Sequence, residues 1–229
     1  MKRIVLFPEL YPTGGHYPFN LRIFHETRNI EFHSPVSFFV GENGSGKSTL
    51  LKAIAHRSNI HIWRNNEGRR LSHNPFEEYL YRFIDTEWTD GVVEGAFFAS
   101  DLFQDFARML EEWAAASPEV LEYFGGRSLI TQSHGQSLMS YFRTRFRKKG
   151  LFLLDEPETA LSPKRQIELL NILKNTGKSG HAQFIIATQS PILITCPGAE
   201  IYSFDFVPVR QLDYRKTDLY RIYKKILND

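Results

Sequence analysis

Residues 41–49 read Gly-Glu-Asn-Gly-Ser-Gly-Lys-Ser-Thr and meet every fixed position of the spacing G-x-x-x-x-G-K-[ST]. Each residue type has a task in holding phosphate. Gly41, Gly44 and Gly46 let the backbone close around an anion, and the amides of Asn43, Gly44, Ser45 and Gly46 then point at it. Lys47 can place its ammonium between two phosphates, Ser48 offers a hydroxyl to Mg²⁺, and Thr49 adds a further donor. About a hundred residues on, Asp155 and Glu156 follow the apolar run 151–154. Asp155 suits the orientation of Mg²⁺ through its waters, and Glu156 suits a general base on an attacking water. Read as structure alone, the same two carboxylates start a turn before Pro157 and cap the helix after it.

These groups need elements to aim them. Strand-like stretches lie at 3–7, 29–32 and 36–40, with a Pro/Gly/aromatic loop over 8–19 between the first two. Leu50, Leu51, Ile54 and Ala55 share one face of a helix that leaves the glycine-rich turn. Segment 61–91 is polar and without clear periodicity, 92–98 reads as a strand, and 107–116 as a helix stopped at Ser117-Pro118. Leu138, Met139, Phe142 and Phe146 mark another helix. The uninterrupted runs 151–154 and 184–187 are the mark of strands covered on both faces. A helix over 165–174 and a strand over 201–206 come next, and the amphipathic tail 218–227 is expected to pack on the core. Strands alternating with helices predict an α/β protein with a mostly parallel sheet, interrupted by a helical insertion over about 67–149.

The glycine-rich turn, Gln132-Ser133-His134-Gly135-Gln136, Asp155-Glu156-Pro157 and Ala160-Leu161-Ser162-Pro163 together resemble the ABC-type ATPases. The likeness is closest to the soluble RecF- and SMC-like branch with its small stand-alone ATPases. It implies one P-loop domain over 1–229, with an N-terminal antiparallel β portion and an inserted helical subdomain. It further implies ATP and Mg²⁺ as ligands, and a homodimer in which Ser133, Gly135 and Gln136 of one copy meet the γ-phosphate held by the other. A serine at a helix N-terminus is a sound anion contact, and equally a simple cap. His134 stands where the common form has glycine. Gln189, in Thr188-Gln189-Ser190-Pro191, stands where the switch segment usually has histidine; its amide can bond phosphate or water but carries no charge. The loop after 92–98 is expected to supply a further Mg²⁺ contact from Ser100, Asp101 or Gln104, with Asp101 favoured. Tyr17 or Phe19 could stack on adenine or belong to the core.

Composition narrows the partners. A net charge of +2 supplies no global field for nucleic acid or acidic membrane, and the single cysteine, Cys196, excludes an internal disulfide. No apolar run reaches the length needed to cross a bilayer, so a cytoplasmic location is expected. Arg143, Arg145, Arg147, Lys148 and Lys149 form a basic run that suits a helix C-terminus, or phosphate-backbone binding if Arg64, Arg69 and Arg70 lie near. His56, His61 and His73 lack metal-ligand spacing. The resulting expectation is Mg²⁺-dependent ATP hydrolysis at a composite dimer site. The alternatives are a slow or non-hydrolysing nucleotide-gated switch, a nucleic-acid-associated ATPase with a protein or DNA partner, and a transporter ATPase subunit.

Overall fold

A computed structural model describes residues 1–63, 74–124, 126, 128–130 and 133–227. The chain opens on β1 (Arg3–Leu6), α1 (Arg22–Glu26), β2 (Asn29–Glu31), β3 (Val36–Val40) and α2 (Lys47–Arg57). Next come β4 (Ile84–Glu87), β5 (Gly95–Ala99), α3 (Phe103–Ala116), α4 (His134–Arg145), β6 (Gly150–Asp155) and α5 (Pro163–Ser179). The last elements are β7 (Ala182–Ala187), β8 (Glu200–Ser203), β9 (Arg210–Leu212) and α6 (Asp218–Leu227). Among the described residues no helix is long and apolar enough to cross a membrane.

The central sheet has the order β5-β6-β7-β3-β8-β9, parallel throughout except for β9. A separate antiparallel sheet, β2-β1-β4, stands beside it. The protein is therefore an α/β fold with a mostly parallel core sheet and an antiparallel N-terminal sheet, as the alternation of strands and helices and the family resemblance together predict. The strands β3 and β6 are buried from end to end, which is why, apart from Ser37 and Asp155, they are written in residues without a polar alternation. Phe38, Phe152, Leu154 and Phe184 face α3, α4 and α5, while Phe39, Leu151, Leu153 and Ile185 face α2 and the small sheet. The first side is stitched by rings: Phe146 lies 5.0 Å from Phe142 and 4.9 Å from both Phe152 and Phe184. Each such side chain contributes about 2 kcal/mol on burial, and the row ties α4 rigidly to the sheet.

Several elements depart from expectation: α1 and β9 fall where none was expected, and the strand expected over 201–206 ends at Ser203, where the chain turns. β4 lies in the stretch that shows no periodicity; Ile-Asp-Thr-Glu is a strand because it pairs with β1, from Leu6↔Ile84 to Arg3↔Glu87. The strand expected at 92–98 begins at Gly95, where a Cβ would sit 2.4 Å from Ile60 and 2.6 Å from the Leu151 carbonyl. The tail helix α6 does not pack as expected. Leu219 and Tyr220 lean on the core, but Ile222, Tyr223, Ile226 and Leu227 are exposed. Both faces of the central sheet are already covered by other elements.

Candidate functional site

The loop between β3 and α2 is shaped by its glycines. Gly46 has φ +103°, and a Cβ there would meet the Phe24 ring at 2.8 Å. Gly41 has φ +142°, and a Cβ would meet Asp205 Oδ1 at 2.9 Å. Only glycine serves at either position. Lys47 is 4% exposed and donates to the carbonyls of Gly41 at 2.7 Å and Glu42 at 2.8 Å. Burial pulls its ammonium below the ordinary lysine range, against the pull of Glu156, Asp205, Asp155 and Glu42. Gly44 has open space above it, and the buried Ser45 hydroxyl has no partner among the described residues. An orphan donor, a charged group and an open cradle fit a polyanion.

Asp205 was missed from sequence. Its Oδ1 accepts the Glu42 amide at 2.8 Å, bracing the loop from the turn after β8. The available signal was an acid just past an apolar strand, and it gains meaning only once β8 is known to lie beside β3. The Tyr17 hydroxyl bonds the Thr49 hydroxyl at the rim of a cleft that also holds Ser48, Lys52 and His56. Phe19 is wholly buried in the core.

At the end of β6, Ser48 Oγ donates to Asp155 Oδ1 at 2.7 Å. Burial pushes the Asp155 carboxyl up, against the Ser48 hydrogen bond and Lys52. A hydroxyl and a carboxylate are hard oxygen donors, the chemistry Mg²⁺ takes. Asp101 is exposed in the turn after β5 and lines the same cleft of about 640 Å³ as Ser48, Asp155, Glu156 and His134. Ser100 is spent otherwise, donating to the Glu156 carbonyl at 2.7 Å. The side chain of Gln104 lies outside the described residues.

Glu156 holds a left-handed backbone, φ 46° and ψ 53°, and its amide donates to the Ala187 carbonyl at 2.9 Å. The strand β7 lies between β3 and β6, so the segment after it is inserted between the phosphate loop and the carboxylates. Gln189 uses that position. Its side-chain amide donates to Asn43 Oδ1 and lies 3.5 Å from Glu156 Oε1.

Ser133 is exposed and stands as N-cap of α4, with its amide donating to Gln136 Oε1 at 3.2 Å. A Cβ on Gly135 would meet the Ala160 carbonyl at 3.4 Å, and the His134 ring stands edge-on to Phe103 with centroids 5.7 Å apart. Ser133 and Gln136 bond each other rather than loop 41–49 of the same chain. Gln132 lies outside the described residues, as do Arg64, Arg69, Arg70 and His73. Within the basic run Arg143 pairs with Glu168, which also takes Arg165 at 2.8 Å, and Arg145 reaches the Gly95 carbonyl at 3.4 Å. Those two arginines fasten α4 to α5 and β5.

The chain is similar to known ATP-binding proteins. A family described as "AAA domain" matches residues 19–56, and one described as "AAA domain, putative AbiEii toxin, Type IV TA system" matches residues 141–195. The chain is 27% identical over 164 residues to the cytochrome c biogenesis ATP-binding export protein CcmA of Rickettsia typhi, covering 70% of this chain and 82% of that protein. It is 40% identical over 58 residues to the DNA replication and repair protein RecF of Leptospira interrogans, covering 25% of this chain but 16% of the relative. In three dimensions it resembles the structure titled "An inward-facing conformation of a putative metal-chelate type ABC transporter". The TM-score is 0.51 at 18% identity, with 82% of this chain and 75% of the other covered.

Proposed function

We propose that the chain is an AAA/ABC-type ATPase that hydrolyses ATP at a site completed by a second copy of itself. The observation that carries this reading is the convergence of Lys47, the Ser48–Asp155 pair and the Gln189–Glu156 pair at the carboxyl ends of β3, β6 and β7. The amides of Asn43, Gly44, Ser45 and Gly46 receive the phosphates, and Thr49 donates beside them. Lys47 exchanges its loop carbonyls for β- and γ-phosphate oxygens. Ser48 and Asp155, with Asp101 opposite, are the residues that would hold Mg²⁺. The metal would supply positive charge against the phosphate oxygens as the terminal phosphoryl group leaves. Glu156 orients a water and takes its proton as the water oxygen bonds the γ-phosphorus and the bond to the β–γ bridging oxygen breaks, giving ADP and phosphate. Gln189 bonds the water or the γ-phosphate.

Ser133, Gly135 and Gln136 belong to this site in trans. The exposed helix start offers a hydroxyl, backbone amides and the positive end of a dipole to the γ-phosphate of the other copy. Within one domain spanning 1–229, α3 and α4 are proposed as the arm that carries them, while β4 and β5, which fall inside the expected insertion of about 67–149, belong to the two sheets. A second reading, a nucleotide-gated switch with slow turnover, draws on Gln189. An uncharged amide already engaged by Asn43 and Glu156 gives less help to developing charge than a histidine would.

Glu156→Gln separates the parts. With ATP and Mg²⁺ the variant is expected to bind nucleotide, to lose hydrolysis by about 10²–10⁴-fold, and to accumulate as a dimer in sedimentation velocity. Hydrolysis at the parent rate would remove Glu156 as base, and an ATP-independent mass would remove the composite site.

A further inference from the structure

Glu158 lies two residues beyond Glu156, in the 3₁₀ turn Pro157–Ala160. Its side chain is turned inward. Oε1 accepts the backbone amide of Gln189 at 2.6 Å. Oε2 is buried and has no partner among the described residues. Burial raises this carboxyl above the usual glutamate range. An acid with one orphaned oxygen is a poor device for stability, because the desolvation of that oxygen is returned by nothing.

The arrangement makes sense as alignment. The Glu156 amide holds the Ala187 carbonyl at 2.9 Å, and Glu158 holds the Gln189 amide, so two bonds clamp the turn after β6 to the segment after β7. The Gln189 side chain emerges just past the clamp and reaches Asn43 and Glu156. Without the carboxylate, the backbone of Gln189 would be free to rotate its amide off Glu156. We propose that Glu158 is a positioning residue for hydrolysis, which fixes the backbone of Gln189 so that its side-chain amide bridges the phosphate loop and Glu156. The inference rests on the hydrolytic reading given above.

The test measures steady-state ATP hydrolysis and nucleotide binding for the parent, Lys47→Ala, Glu158→Ala, Glu158→Gln, Gln189→Ala and the double variant Glu158→Ala/Gln189→Ala. Glu158→Ala is expected to lower kcat about 10- to 100-fold with KM for ATP and nucleotide affinity within about twofold, since the clamp touches no substrate atom. Glu158→Gln keeps a carbonyl acceptor at the same reach and should stay within about threefold of the parent. The double variant should be no slower than the slower single variant, because both remove one bridging amide. Should the alanine variant fail to fold, Glu158→Asp, which keeps the charge but shortens the reach, carries the same expectations. A parent whose hydrolysis does not depend on Lys47 overturns the hydrolytic reading and this one with it. A hydrolysing parent matched by Glu158→Ala, a rise in KM without loss of kcat, a glutamine variant as slow as alanine, or multiplying losses in the double variant overturns the role of Glu158 alone.

Discussion

The phosphate loop and the start of α4 both present a helix N-terminus, and they are built in opposite ways. Around Lys47 the chain has supplied its own partners: two loop carbonyls for the ammonium, Asp155 for Ser48, Asp205 for the Glu42 amide. Around Ser133, among the described residues, the bonds come from the helix's own first turn, from Gln136 and Ser137. The first helix start is held from several strands at once; the second is held by its own first turn and by the aromatic row behind it. A buried, cross-braced group is organised before ligand arrives, whereas an exposed cap is available to a molecule outside the chain. On the proposed function the two are halves of one site separated onto two copies.

Lys47→Ala strikes the organised half and should have the largest effect. Charge-assisted hydrogen bonds are worth about 1.5–3 kcal/mol each, so losing contacts to two phosphates should weaken ATP at least about 100-fold by calorimetry. Ser133→Ala strikes the other half. ATP binding by the single chain should stay within about twofold while ATP-dependent dimerisation weakens about tenfold in sedimentation equilibrium. If binding and dimerisation fell together, the separation of the halves would be wrong. A thermal shift corresponding to about 1 kcal/mol, the worth of a cap, is the only structural cost expected.

The smallest effect sharpens the same contrast through pH. Burial raises the Asp155 carboxyl above its ordinary value of 3.8, so the ligand-free fold favours the neutral acid. That stability is present below 3.8 and is lost as pH rises through the raised value, because the unfolded chain gives up its proton first. Asp155→Asn removes the dependence. Thermal melts without nucleotide should place the asparagine variant level with the parent in acid and above it near neutrality. Melts in which the parent gained on the variant with rising pH would contradict the burial argument.

What could be read from the sequence was what lies close along the chain. Residues 41–49 declare themselves because every group that shapes the loop's spacing is contiguous, and the buried strands β6 and β7 declare themselves by the unbroken apolar runs 151–154 and 184–187. What stayed hidden depends on distant pairing. Ile84–Glu87 is a strand only against β1, and Asp205 matters only because β8 adjoins β3. Glu158 reads as an ordinary acid until Gln189, thirty-one residues away, is seen to sit on it. The tail misled for a related reason: its apolar stripe is genuine, but a stripe says nothing about whether the core still has room.

A left-handed backbone on a residue that bears a Cβ works against the fold by about 1 kcal/mol or more, and Glu156 carries that burden at φ 46°. Glycine would relieve it. On the chemistry proposed for this carboxylate, endurance to heat and turnover therefore pull in opposite directions at a single position. Selection for hardiness alone would drift toward inert proteins there, and a screen of thermostable variants would find its dead members clustered at this turn.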